Sequence, residues 1–196
     1  TSDTGKILKE GLNTVIIGKP NVGKSSLLNA LVKEGRAIVT DVPGTTRDII
    51  EEYIDIKGIP IKIIDTAGIR QTEDRVEKIG INRAMKYLEE AELVLLIIDA
   101  SRELTDDDRN LIELVVNKPT ITVINKIDLT VNVKDDEIEK QLPTDKVVKV
   151  SALKEEGIED LKAAMYDTIT DKIGFMEEGS ILAGERQRVV LNEVYH

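Results

Sequence analysis

Six strand-like runs punctuate the chain: Thr14–Ile17, Glu51–Ile56, Ile61–Ile64, Leu93–Ile98, Ile121–Ile124 and Val147–Val150. Between most of them lie segments with apolar residues at spacings of three and four, which predict helices: Ser25–Lys33, Ile79–Glu90, Thr105–Asn117 and Ile158–Thr170. Alternating strands and helices give an α/β fold, a mostly parallel sheet with helices on both faces. The two runs divided by Lys57-Gly58-Ile59-Pro60 read as a hairpin, so one edge strand of this six-stranded sheet is expected to be antiparallel. Residues 1–10 read as a leader from a preceding region and 11–175 as the domain. After Gly174 the pattern changes, and 176–196 reads as a charged, amphipathic helical extension belonging to a neighbouring helical domain. Asp106-Asp107-Asp108 follows Thr105 and is expected to be a helix start, with acids in its positive first turn, ahead of any cation site.

Composition narrows the possibilities. A length of 196 residues fits one core, able to bury about 70% of the unfolded surface. With 27 basic and 37 acidic residues the net charge is -10, which argues against broad adhesion to nucleic acid. Five aromatics, four Tyr and one Phe, leave few platforms for unpaired bases. Zero Cys excludes a disulfide framework, a thiol nucleophile and thiolate metal sites, and favours a cytoplasmic location. No run approaches the roughly 18 apolar residues of a membrane span, and the chain, which opens on Thr1 and closes on His196, reads as a piece of something longer. His196 is read as neither ligand nor base.

Chemistry enters with "VIIGKPNVGKSSLLNAL". Here Gly18-Lys19-Pro20-Asn21-Val22-Gly23-Lys24-Ser25 stands between a strand and an amphipathic helix, as a phosphate-binding P-loop requires. Glycines let backbone N–H groups of Asn21 to Ser26 converge on phosphates at a helix N-terminus; Lys24 supplies a point charge and Ser25 a hydroxyl for Mg2+. Downstream, Asp65 ends a strand where its carboxylate can hold a water of the magnesium shell, and the Gly68 N–H can sense a terminal phosphate. Between them, residues 39–48, punctuated by Pro43 and Gly44, read as a mobile loop. Thr46, with Thr45 as its rival, is expected to complete the magnesium shell.

"VINKIDL" then puts Asn125, Lys126 and Asp128 after another buried strand. The carboxylate of Asp128 can accept from the ring N–H and exocyclic amine of guanine, a pattern adenine lacks. Lys126 can lay its stem over the base, Asn125 can tie this loop to the P-loop, and in Val150-Ser151-Ala152 the Ala152 N–H can meet the guanine carbonyl. The ordered set describes a P-loop NTPase of the Ras-like GTPase fold that binds GTP with Mg2+. One residue departs from that pattern. Ras-like enzymes place Gln after the Gly68 position to orient the attacking water, whereas here it is Ile69, which can neither donate nor accept a hydrogen bond.

In order along the chain, "GKPNVGKSSLLNAL", "VTDVPGTTRD", "DTAGIR", "VEKIGINRA", "NKID" and "SA" resemble the tRNA-modification GTPases of the MnmE (TrmE) family over about residues 11–175. Ribosome-assembly GTPases of the Era and EngA type are the nearest alternative, but they usually read DTPG or DTGG. A module that binds GTP without turning it over is a third reading, raised by Ile69 alone. The resemblance implies an answer to Ile69: potassium bound beside the phosphates supplies the charge of an arginine finger. Its ligands would be Asn21 and the carbonyls of Thr40 and Val42, with Thr45 nearby, in a loop ordered when two such domains meet as a homodimer. It implies that Glu77, in "DRVEKIG", orients the water through a second water, with Arg70, Gln71 and Glu73 as rivals, so that Glu77, Lys24 and Gly68 form the catalytic set. It further implies a flavoprotein partner, MnmG, acting with the full-length protein on the wobble uridine of tRNA. The folate-binding domain and the C-terminal Cys motif of the family do not occur in this segment.

Overall fold

A computed structural model describes residues 11–34, 50–65, 85–133 and 146–174. The leader, residues 1–10, and the extension, 176–196, lie outside the described residues. One sheet organises the rest: β1 (Leu12–Gly18), β2 (Ile50–Ile56), β3 (Ile59–Asp65), β4 (Leu93–Asp99), β5 (Thr120–Asn125) and β6 (Val147–Val150), in the order β2-β3-β1-β4-β5-β6. Every neighbouring pair is parallel except β2 with β3. The helices are α1 (Lys24–Glu34), α2 (described over 85–90), α3 (Asp106–Val115) and α4 (158–174). The α/β expectation, with one antiparallel edge, is therefore met.

Strand β4 explains why this sequence makes a two-faced sheet. All seven of its residues are buried, and successive side chains point to opposite sides. Leu93, Leu95 and Ile97 join a core with Leu27 and Leu31 of α1 and Leu161, Met165 and Ile169 of α4. Val94, Leu96 and Ile98 join a second core with Leu88 of α2 and Ile112 and Val115 of α3. Each fully buried Leu or Ile contributes about 1.5–3 kcal/mol relative to exposure, so the two apolar stripes fix the helices on the sheet more firmly than helix propensity does. Glu92 joins the two ends of this arrangement, accepting from Asn13 N at 3.0 Å and pairing with Lys172 of α4 at 3.4 Å.

The hairpin is tighter than its sequence implied. Only Lys57 and Gly58 turn, both at positive φ (52° and 84°), while Ile59 and Pro60, expected in the loop, belong to β3. A two-residue turn of this hand matches the twist of the flanking strands, and Asp55 Oδ1 accepts the Gly58 N–H at 2.9 Å. Pro60 is tolerated because β1 pairs with β3 only from Ile61 onward, leaving the Pro60 position no partner strand on that side.

After β6 the chain closes a small loop in which Ser151 and Glu156 exchange both backbone hydrogen bonds, at 3.0 and 3.1 Å. Gly157 then starts α4 at φ 74°, where an added Cβ would lie 2.4 Å from the Lys149 carbonyl. We expect Gly157→Ala to destabilise by about 1–3 kcal/mol. Gly58→Ala, at positive φ but with nothing within 4 Å of the added carbon, should cost about 1 kcal/mol. Urea unfolding midpoints compare the two, and an equal or larger effect at Gly58 would contradict the role of the Lys149 contact.

Candidate nucleotide-binding site

The strand order reverses around β1, which has β3 on one side and β4 on the other. In open α/β sheets the crevice beyond the carboxyl ends at such a point is where ligands bind. Gly18, Asp65, Asp99 and Asn125 are the last residues of β1, β3, β4 and β5 and stand along this edge. The backbone of Asp65 pairs with Ile16 of β1, close to the start of the phosphate loop.

That loop runs from Gly18 to α1. Asn21 takes φ 63° and Gly23 φ 101°, and the first helical bond, Leu27 N to Gly23 O at 2.9 Å, leaves the preceding N–H groups directed out of the helix end. Gly23 is required twice over, since a Cβ there would fall 2.2 Å from Asn125 Nδ2. Lys24 is buried, and its Nζ donates to the carbonyls of Gly18 and Lys19 at 2.9 and 2.6 Å. Ser25 and Ser26 are exposed on the first turn of α1. A hard oxygen donor at this position suits Mg2+.

Asn125 is 2% exposed and spans the site. Its Nδ2 donates to Val22 O at 2.8 Å, and its Oδ1 accepts from Ala152 N at 3.0 Å. The expectation that Asn125 ties this loop to the P-loop is thus a direct bond. The Ala152 N–H, expected to meet the guanine carbonyl, is given to Asn125, so a base carbonyl would have to share that donor. Lys126 adopts φ 68° and sends its Nζ back to Asn21 O at 2.6 Å, which lays its stem across the gap between the two loops. Ser151, fully buried, donates its hydroxyl to Asp128 Oδ1 at 2.7 Å. This bond, opposed by partial burial, holds the Asp128 carboxyl below the usual carboxylate range. Asp128 therefore remains an acceptor-only group, the form that reading two N–H donors of guanine needs.

Two groups at the site were not foreseen. Asp99, 6% exposed, takes the second bond from Lys126 Nζ, at 2.6 Å, and accepts Ser101 N and Oγ at 2.9 and 2.6 Å. Burial pushes its pKa up, but the Lys126 and Ser101 hydrogen bonds outweigh burial and hold it below the ordinary value. The signal was present in the sequence: Asp99 closes an apolar strand as Asp65 does, and it stands in register with Asn125. The other group is Lys19, whose ammonium reaches Asp108 and Thr105 at the start of α3. The structure thus brings together Asn21, Val22, Gly23, Lys24, Ser25, Ser26, Asn125, Lys126, Asp128, Ser151 and Ala152. Asp65 is described by its backbone alone. Thr40, Val42, Thr45, Thr46, Gly68 and Glu77, with the rivals Arg70, Gln71 and Glu73, lie outside the described residues.

Comparison with known proteins agrees with this arrangement. Proteins called tRNA modification GTPase MnmE are similar over most of the chain. That of Alkaliphilus metalliredigens is 56% identical over 169 residues, 86% of this chain and 37% of the relative. That of Clostridioides difficile is 46% identical over 195 residues, 100% of this chain and 42% of the relative. The chain thus spans about two fifths of the curated relatives it matches. Among solved structures, Era from Aquifex aeolicus bound to GDP and AlF4- superposes with a TM-score of 0.64 at 33% identity, over 79% of this chain and 56% of that one. The G domain of the FeoB transporter from T. maritima gives 0.59 at 29%, over 81% and 98%. Residues 13–126 match the family model described as 50S ribosome-binding GTPase. With a phosphate loop and a guanine-type loop bonded to each other on a GTPase sheet, the chain belongs to this family of GTP-hydrolysing enzymes.

Proposed function

We propose that this chain is the GTP-hydrolysing unit of a protein that takes part in modifying the wobble uridine of tRNA. The observation that carries the nucleotide reading is the pair of bonds from Asn125 and Lys126 to the phosphate loop, which make one continuous site for base and phosphates. The biological setting rests on similarity: identity is 46–56% with the MnmE relatives and 33% with Era. Within the site, Asp128 reads guanine, with the Ala152 N–H shared between Asn125 and the base carbonyl, the loop amides and Lys24 hold the phosphates, and Gly68 senses the terminal one. Ser25 and Thr46 would hold Mg2+, with Asp65 on a water of its shell; the exposed hydroxyl of Ser25 beside Lys24 fits that ion.

Potassium is proposed to supply the positive charge that a finger arginine provides elsewhere. Its ligands would be Asn21, Thr40, Val42 and Thr45. Asn21 fits, because its strained backbone holds an exposed side chain at the loop mouth while its own carbonyl is occupied by Lys126. Glu77 orients the attacking water, which an aliphatic Ile69 cannot do. Two such domains meeting as a homodimer would order residues 39–48. The partners of the whole protein would be MnmG and tRNA, in the cytoplasm. Among the described residues no helix is long and apolar enough to cross a membrane.

Asp128→Asn should weaken GTP binding about a hundredfold or more and favour xanthosine triphosphate, because the new amide donor faces the guanine N–H groups. Competition titrations with the two nucleotides test this. Glu77→Ala should nearly abolish turnover while GTP affinity stays within about tenfold; near-normal turnover would remove Glu77 from the mechanism. Hydrolysis in KCl should exceed that in NaCl at equal ionic strength and rise with protein concentration, with aluminium fluoride and GDP shifting the size toward a dimer. Indistinguishable rates in the two salts would dismiss potassium.

A further inference from the structure

Lys19 sits inside the phosphate loop, yet its ammonium leaves it. Nζ lies 2.6 Å from Asp108 Oδ2 and 2.9 Å from Thr105 Oγ1, both at the start of α3 and 86 or more positions away in sequence. Asp108 also differs from its neighbours. Asp106 and Asp107 are exposed, as acids in a helix first turn usually are, whereas Asp108 is 4% exposed. Its Oδ2 accepts the Thr105 N–H at 2.8 Å and the Thr105 hydroxyl at 2.9 Å besides Lys19. A carboxylate this deeply buried depends on such partners, and removing one leaves buried polar atoms unsatisfied.

At its other end the same lysine serves the nucleotide site, its main-chain carbonyl accepting Lys24 Nζ at 2.6 Å. The peptide between Lys19 and Pro20 has no N–H, so no hydrogen bond from its nitrogen can fix the direction of that carbonyl. The side-chain anchor in α3 holds the residue from its other end. We propose that Asp108, with Thr105, is a positioning group for Lys24 that acts through Lys19, setting the carbonyl that aims the Lys24 ammonium at the phosphates beyond the first. The grip on the phosphate tail is thereby tied to the first turn of α3, on the second face of the sheet.

This inference rests on the reading that the loop binds nucleotide phosphates, and calorimetric titration with GDP and GMP separates the two. Lys19→Met and Asp108→Asn should each weaken GDP binding about tenfold and leave GMP within about twofold, because Lys24 serves the phosphates that GMP lacks. The double variant should be no weaker than about twofold below either single one, as expected for two members of one link. Lys19→Arg, which keeps the cation, should hold GDP affinity within about threefold of wild type. Equal losses for GDP and GMP, additive losses in the double variant, or unchanged GDP binding would each overturn the proposal. Should Asp108→Asn fail to fold, Lys19→Met, at a partly exposed side chain, decides alone. A wild-type chain that binds no GDP would instead sink the nucleotide reading itself.

Discussion

The side-chain amide of Asn125 is the joint on which the functional end of this molecule depends. A buried amide with both ends satisfied fixes two segments at once: its nitrogen holds the Val22 carbonyl and its oxygen holds the Ala152 N–H. Either partner left alone in this dry position would cost about 1–3 kcal/mol. The same amide dictates its neighbour, because Nδ2 occupies the space a Cβ at position 23 would fill, so Gly23 is needed for room as well as for its φ. Phosphate loop, base loop and the turn after β6 are therefore bonded to one another through a single side chain. The two cores below supply the stiffness, and the carboxyl ends of the strands supply the address.

Much of this could be read from the residues, and the reasons differ from element to element. The strands of the central sheet announced themselves because both faces are covered, making Leu93–Ile98 a continuous apolar run ahead of Asp99. Helix α3 began where Thr105 and the acids predicted. The hairpin was misjudged at Ile59 and Pro60, because whether a proline is tolerated in a strand depends on where the neighbouring strand begins, and that is a property of register. Among the described residues, those of the phosphate-loop and base-loop motifs stand together as the sequence suggested, while those that support them from afar were not foreseen. Asp99 and Lys126 lie 27 positions apart, and Lys19 and Thr105 lie 86 apart. No local spacing encodes such pairs, although a polar residue closing an apolar strand marks the right end of the sheet.

The distribution of charge also explains how a chain of net charge -10 keeps a site for a polyanion. Lys19, Lys24 and Lys126 gather at one end of the sheet, and each is held by oxygens of the chain itself: Asp108, the Gly18 and Lys19 carbonyls, and Asp99 with the Asn21 carbonyl. Long side chains that are already oriented lose little freedom when a ligand arrives, which is where much of the advantage of a built site lies. Anchoring carboxylates such as Asp99 and Asp108 lower the net positive charge, but they convert flexible cations into aimed ones.

The two-residue turn at Lys57 and Gly58 has a bearing well beyond the hairpin. It fixes the pairing of β2 with β3 so that Ile50 and Asp65 stand opposite each other, on the same rung that Ile16 continues into β1. Ile50 is where the chain emerges from residues 35–49, and Asp65 is where it departs into residues 66–84. Both connecting segments, one carrying Thr45 and Thr46 and the other Gly68 and Glu77, are consequently rooted at a single point beside the phosphate loop. The hairpin acts as a ruler: adding or removing one residue in it would shift the ladder and turn every β2 side chain to the opposite face, displacing the root of one segment relative to the other. The length of this remote turn is thereby tied to a site at the far end of the strands.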